Sequence, residues 1–214
     1  WTQQTARIEC ILRQHAPLEF TQGTHRSRRS GWPRAAGLIA ARDWPRLARF
    51  EARADVAHTD PATLDAAAAA LERDILDKIV LARAMAISVV AYDGESLTMA
   101  APLAPNVNDK GCAFGGSLVS LMTLAGWGLV KLALDRHGRD CDIYVQDSDV
   151  RYLAPVWNDF EAVARLVDRE SFAAMIEALA ARGRARTRVR CVVPLPDGTA
   201  AATLEARFVA IERR

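Results

Sequence analysis

Histidine, lysine and net charge are what this 214-residue chain has little of. Three of its four histidines (His15, His25 and His58) fall in the first sixty residues, which hold no lysine at all, and only His137 lies beyond them. Twenty-eight basic against 26 acidic residues leave a formal net charge of +2. Such a balance offers no broad field to gather a nucleic acid. The four cysteines, at positions 10, 112, 141 and 191, form no C-x-x-C pair and no zinc-like spacing with histidine. That pattern speaks against a disulfide framework and a structural metal, and suits a reducing cytoplasm.

Charge is also missing from Ala113 to Val130. By length the run would span a membrane. It contains Gly115, Gly116, Ser117, Ser120, Thr123, Gly126 and Gly128, however, and is followed by turn-punctuated strand patterns rather than anchor flanks. The expectation is a helix buried in a protein core, with no membrane partner.

Residues 1–62 read as an arginine-rich extension, loosely ordered or foreign to the fold, broken by Gly23, Gly31 and Pro33. Within it, Ala35 to Ala54 has the make-up of an amphipathic helix resembling a transit or membrane-surface segment, with Asp43 and Glu51 against that reading. The domain proper is expected over 63–214. Thr63 is a plausible N-cap for a helix to Val80, since Leu64, Leu71, Ile75, Leu76 and Ile79 fall near helical spacing. Met85 to Tyr92 and Ser96 to Ala101 flank the turn signal Asp93-Gly94 and predict a hairpin. Pro102 and Pro105 end the sheet, Asn106 to Cys112 forms a polar loop, and a long helix runs from Phe114 to about Asp135.

Strands then follow at Asp142 to Leu153, Phe160 to Asp168, Ala185 to Pro194 and Ala200 to Ile211, with a short helix at Ser171 to Ala181. Pro196-Asp197-Gly198 turns the last two into a hairpin. One apolar helix with antiparallel strands predicts an α+β domain in which a curved sheet wraps the helix, a second subunit supplying the rest of the cover.

The stretch APLAPNVNDKGCAFGGSLVSLMTLAGWG, Ala101 to Gly128, together with Asp149 to Pro155, Gly183 to Arg186 and Ala206 to Ala210, resembles the thioesterase-like domain at the C-terminus of the YiiD acetyltransferase. That family belongs to the hot-dog superfamily. The resemblance runs from about Leu64 to the chain end, and residues 1–63 show no acetyltransferase pattern. It implies a hot-dog dimer or dimer of dimers acting on acyl thioesters of coenzyme A or a carrier protein, with coenzyme A as part of the substrate and no cofactor.

Its central motif has a physical reading of its own. Paired glycines at a helix start let a substrate approach the backbone, whose free N–H groups polarise a thioester carbonyl and stabilise its oxyanion. Gly115 and Gly116 are the candidates. Asn108 and Gly111 match the Asn-x-x-Gly-x-x-His-Gly-Gly pattern of many hot-dog thioesterases, so the Asn108 amide is expected to orient substrate or water. A plain loop and helix cap is the competing reading of these residues. The chain departs from the pattern twice: Phe114 stands where many relatives place His, and Thr123 where some place a carboxylate. Thr123 is no base near neutral pH. Asp147 and Asp149, alternate residues on one strand, become the expected base, set against a solvated or structural role for both.

Asn106, Phe114, Ser117, Thr123 and Tyr152 complete the substrate-facing candidates. Arg184 and Arg186, in an alternating arginine run from 182 to 190, are expected either to meet coenzyme A phosphates or to be solvated edge charge. Ser117 and Cys112 lie near the helix start but have no nearby histidine, which disfavours a covalent mechanism. His137 is expected to cap the helix end, and Trp127 and Trp157 to pack in the core. Hydrolysis by water attack leads. A non-hydrolytic acyl-thioester-binding module is the first alternative and a dehydratase or hydratase the second, weakened by the absence of a histidine in the loop or helix.

Overall fold

The computed structural model describes residues 60–167 and 170–213. The expectations for residues 1–59, including the Ala35 to Ala54 helix, lie outside the described residues.

Helix α1 spans Pro61–Lys78 with Asp60 as its N-cap, three residues ahead of the Thr63 N-cap read from the sequence. Proline accounts for the shift, because its fixed φ and missing N–H suit the first helical position. A single turn, α2 (Val80–Ala84), follows. The first strand, β1 (Ser88–Tyr92), begins later than expected because the chain turns at Ala86, where φ is 53°. It pairs with β2 (Ser96–Ala101). Asp93 closes their turn by accepting from the Glu95 and Ser96 amides and the Ser96 hydroxyl.

The long apolar run forms α3 (Gly115–Arg136). After it come β3 (Cys141–Tyr152), β4 (Phe160–Leu166), α4 (Phe172–Arg182), β5 (Arg184–Pro194) and β6 (Ala200–Glu212), each within two residues of its expected bounds. The Ser171 hydroxyl caps α4 by accepting from the Ala174 amide at 3.1 Å, and Gly183 ends it at φ 63°. His137 Nδ1 meets the Ala133 carbonyl at 2.8 Å, the capping role expected of it.

All six strands form one antiparallel sheet in the order β1-β2-β4-β5-β6-β3, with α3 against its inner face. This is the hot-dog arrangement. Alternation supplies the inner face: Leu97 and Met99, Ala162 and Ala164, Val189 and Cys191, and Leu204, Ala206 and Phe208 are all buried. Alanines there, and Gly126 and Gly128 on the helix, let the two layers approach closely. A Cβ at Gly126 would meet the Phe208 ring at 2.9 Å, and one at Gly128 would meet Leu97 at 2.8 Å. By length and composition α3 would cross a membrane, but most of it is buried under this sheet.

Cover is not complete. The helix positions left part-exposed are Gly115, Gly116, Val119, Ser120, Thr123, Leu124, Trp127 and Lys131, which fall on one stripe at helical spacing. The two sheet edges also differ. β1 has five residues, a bulge beside Val90 and α1 packed on it, whereas β3 has twelve residues and exposes Tyr144 and Val145. Trp127 packs against the core as expected, but Trp157 is exposed, because Pro155 and the turn after β3 leave it outside the sheet.

Candidate active site

The site is the start of α3 and the loop that leads into it. Pro102 and Pro105 bend the chain off β2 through a short 3-10 turn, Ala104–Asn106. Asn106, almost wholly buried, fastens this bend: its amide nitrogen donates to the Met85 carbonyl at 2.9 Å and the Pro102 carbonyl at 2.8 Å. Its own backbone carbonyl accepts from the Phe114 amide at 2.7 Å. One residue thereby ties the sheet, the loop and the helix entrance together. Asn106 was expected to face substrate; both amide hydrogens are instead committed to the scaffold.

The loop closes on itself through Asn108. Its backbone amide donates to the Cys112 carbonyl at 2.8 Å, and its side-chain oxygen accepts from the Lys110 and Cys112 amides at 2.8 and 3.3 Å. The side-chain nitrogen reaches Cys112 Sγ at 3.2 Å. One amide hydrogen remains for a substrate or water. The Ala113 amide donates to the Val156 carbonyl at 2.8 Å, docking the loop's end beside the turn after β3.

At the helix entrance the Ser117 and Leu118 amides donate to the Phe114 carbonyl, at 2.9 and 3.1 Å. The Gly115 and Gly116 amides have no hydrogen-bond partner among the described residues, and no side chain caps the helix. Two free N–H groups at the positive end of a 22-residue helix make a ready acceptor site for an oxyanion. Tyr152, arriving from β3, donates its hydroxyl to the Gly115 carbonyl at 3.2 Å. The Phe114 side chain is 54% exposed and its ring lies over Gly116, within 2.2 Å of where a Cβ would stand. Any larger residue at 116 would have to push this ring aside.

Gly115, Gly116, Phe114, Asn106, Asn108 and Tyr152 are thus brought together. Ser117 sits beside them but is buried, and Thr123 lies two turns on along the part-exposed stripe. The two aspartates are not brought in. Residues paired across an antiparallel ladder share a face, and Asp147 pairs with Arg207 and Asp149 with Glu205, while the neighbouring Ser148 and Val150 pair with buried Ala206 and Leu204. The expected base therefore faces away from the helix: Asp147 lies 3.6 Å from Arg207 and Asp149 3.5 Å from Arg151, both exposed. Their common face was read correctly from alternation; its side is set by the bulge between Val145 and Asp147.

Arg184 and Arg186 are also distant within the protomer. Through β6 they stand level with Asp142 and Tyr144, eight to ten residues along β3 from Tyr152, roughly 25–30 Å away. Arg186 donates to the Gln146 side chain at 2.8 Å. The Tyr152 hydroxyl bond and the open stripe along α3 were missed in the sequence; the i, i+4, i+7 spacing of Gly116, Ser120 and Thr123 was the available signal for the stripe.

Residues 68–212 match the family profile described as "Putative thioesterase (yiiD_Cterm)". Among solved structures, a Shewanella oneidensis protein described as a "putative thioesterase" is 30% identical, with a TM-score of 0.62 over 69% of this chain and 99% of that one. A Chlorobaculum tepidum protein of unknown function is 26% identical, with a TM-score of 0.66 over 70% and 97%. A Haemophilus influenzae thioesterase, at 14% identity and a TM-score of 0.53 over 68% and 90%, shares the fold.

Proposed function

Because the chain belongs to the thioesterase family of the YiiD C-terminal type, we propose that it hydrolyses acyl thioesters of coenzyme A or of a carrier protein. The observation that carries this reading is the pair of unpartnered amides at Gly115 and Gly116. A thioester carbonyl seated on them gains hydrogen bonds that strengthen as its oxygen takes on charge, which lowers the barrier to attack. Water is the nucleophile, with the remaining Asn108 amide hydrogen available to orient it. Ser117 is buried, and among the described residues the one histidine, His137, stands at the opposite end of α3 from Ser117 and Cys112. Coenzyme A is substrate, and no cofactor is assigned.

The working form we propose is a homodimer, alone or doubled, paired through β3 in the cytoplasm. An open twelve-residue edge bearing exposed Tyr144 and Val145 needs cover. Antiparallel self-pairing about a twofold axis sets the start of one β3 beside the end of the other. Arg184 and Arg186 alternate with buried Ala185 and Thr187 and so stand on the outer face of the sheet, away from the glycines, and contact with coenzyme phosphates is not assigned to them.

A second reading has its own support. With Phe114 over Gly116, Thr123 on the stripe and both aspartates facing outward, no carboxylate base stands beside the glycines among the described residues, which favours an acyl-thioester-binding module. Steady-state thiol release from coenzyme A thioesters, acetyl to palmitoyl and aromatic, separates the two. Release above the uncatalysed rate establishes the hydrolase, and silence alongside measurable acyl-CoA binding establishes the module.

A further inference from the structure

Away from the glycines, a cleft of about 860 Å³ opens between α1, the second half of α3 and the start of β3. Its volume lies in the range of small-molecule sites. The walls are apolar, with Leu64, Ala67 and Leu71 from α1, Trp127 and Leu132 from α3 and Ile143 from β3. Charges at the mouth are largely matched already: Lys78 with Asp74, Lys131 with Asp135, and Arg213 with both Asp140 and Asp142. Arg136 is the lining cation with no carboxylate partner among the described residues. A mouth so balanced selects little by charge, and what the cleft offers is apolar area. Tyr92 lines the same cleft, and its hydroxyl is buried without a hydrogen-bond partner among the described residues. An unpaired buried hydroxyl is uncommon, but this one is closed to solvent and is not counted as a ligand contact.

The cleft is joined to the glycines by the part-exposed stripe of α3. Gly116, Ser120 and Thr123 are small, so they leave a shallow track that ends at Trp127, a wall of the cleft. Eleven residues of helix make this track about 16 Å long. We propose that the cleft receives the far end of a long acyl chain whose thioester carbonyl sits at Gly115 and Gly116. The inference rests on the thioester reading above and adds a substrate class to it: an acetyl group ends before Thr123, whereas a palmitoyl chain reaches past Trp127.

Two substitutions narrow the cleft from α1 without entering the buried core, Ala67→Phe at a half-buried position and Ala70→Phe at an exposed one. Each buried methylene contributes about fourfold in affinity, so excluding a few is easily read. In both variants the ratio of kcat/KM for palmitoyl-CoA to that for acetyl-CoA is expected to fall at least tenfold. Saturable binding of the fluorescent fatty acid cis-parinaric acid should weaken as much. An unchanged ratio and unchanged parinarate affinity in both variants overturn the proposal even if the protein hydrolyses thioesters. Conversely, if the wild-type protein releases no thiol but binds parinarate, and both variants lose that binding, the cleft stands and the hydrolytic reading falls.

Discussion

Helix α3 carries two pairs of glycines, and they are there for different reasons. Gly126 and Gly128 lie where the helix is sealed against the sheet and α1, and what forbids a side chain is the packed core: Phe208 and Cys191 beside one, Leu97 and Leu71 beside the other. Gly115 and Gly116 lie at the open end, against the rings of Tyr152 and Phe114, and their amides are unpartnered. The central pair makes the fold compact. The first pair leaves backbone accessible to a ligand, and the absence of an N-cap side chain there, ordinarily a loss of about 1 kcal/mol, is consistent with donors kept free for something other than the protein.

The sharpest way to break this contrast is Gly115→Pro. Position 115 is the first of the helix, where proline is well tolerated, and Phe114 already has φ −68° and ψ 132°, the conformation a residue before proline requires. The substitution deletes one N–H donor without disturbing the fold. It should lower kcat by about 10²–10³, equivalent to roughly 3–4 kcal/mol in the barrier, with the melting temperature held or slightly raised. A variant that melts normally and turns over normally would remove Gly115 from the oxyanion site.

Next in size is Asn106→Ala, at the joint between the two regions. It strands the buried Met85 carbonyl and the part-buried Pro102 carbonyl but also removes the unpartnered Asn106 side-chain oxygen, for a net loss of about 2 kcal/mol in denaturant unfolding. Because the Asn106 side chain holds the bend whose backbone carbonyl accepts from the Phe114 amide, loosening that bend should lower turnover along with stability, unlike the proline variant. Smaller still is Gly128→Ala. Its Cβ would press on Leu97 and Leu71, an overpacking cost of about 1–3 kcal/mol, partly offset by about 1 kcal/mol of helix propensity. Stability should fall by about 1 kcal/mol while kcat stays put; a loss of turnover at constant stability would show that the middle of the helix is not merely packing.

How much of this was legible in the sequence follows from which forces are local. Alternation in Arg184–Pro194 and Ala200–Glu212, the Asp93-Gly94 and Pro196-Asp197-Gly198 turns and the charge-free helix all reflect periodicity, and the strands and helices came out within about three residues. The glycine pair was legible because a helix start exposes its amides whatever surrounds it. What could not be read locally was orientation. Asn106 reads as a polar loop residue until Met85, 21 positions back, is placed beside it. The open stripe of α3 is invisible in an apolar run, because the gap is made by what the sheet does not cover.

Asp147 and Asp149 carry the same lesson and the smallest predicted effect. Period-2 alternation fixes that they share a face, but which face depends on the bulge that precedes Asp147 and on register with β6. On the outer face they pair with exposed arginines, and exposed pairs contribute little to stability. Asp147→Asn and Asp149→Asn, alone or together, should therefore leave kcat within about twofold and unfolding within about 0.5 kcal/mol. A hundredfold fall in kcat in either variant would mean that one of these carboxylates reaches a thioester after all. Within one protomer the sheet separates them from the glycines, so such a result would require a partner subunit or a different register of β3 in the working enzyme.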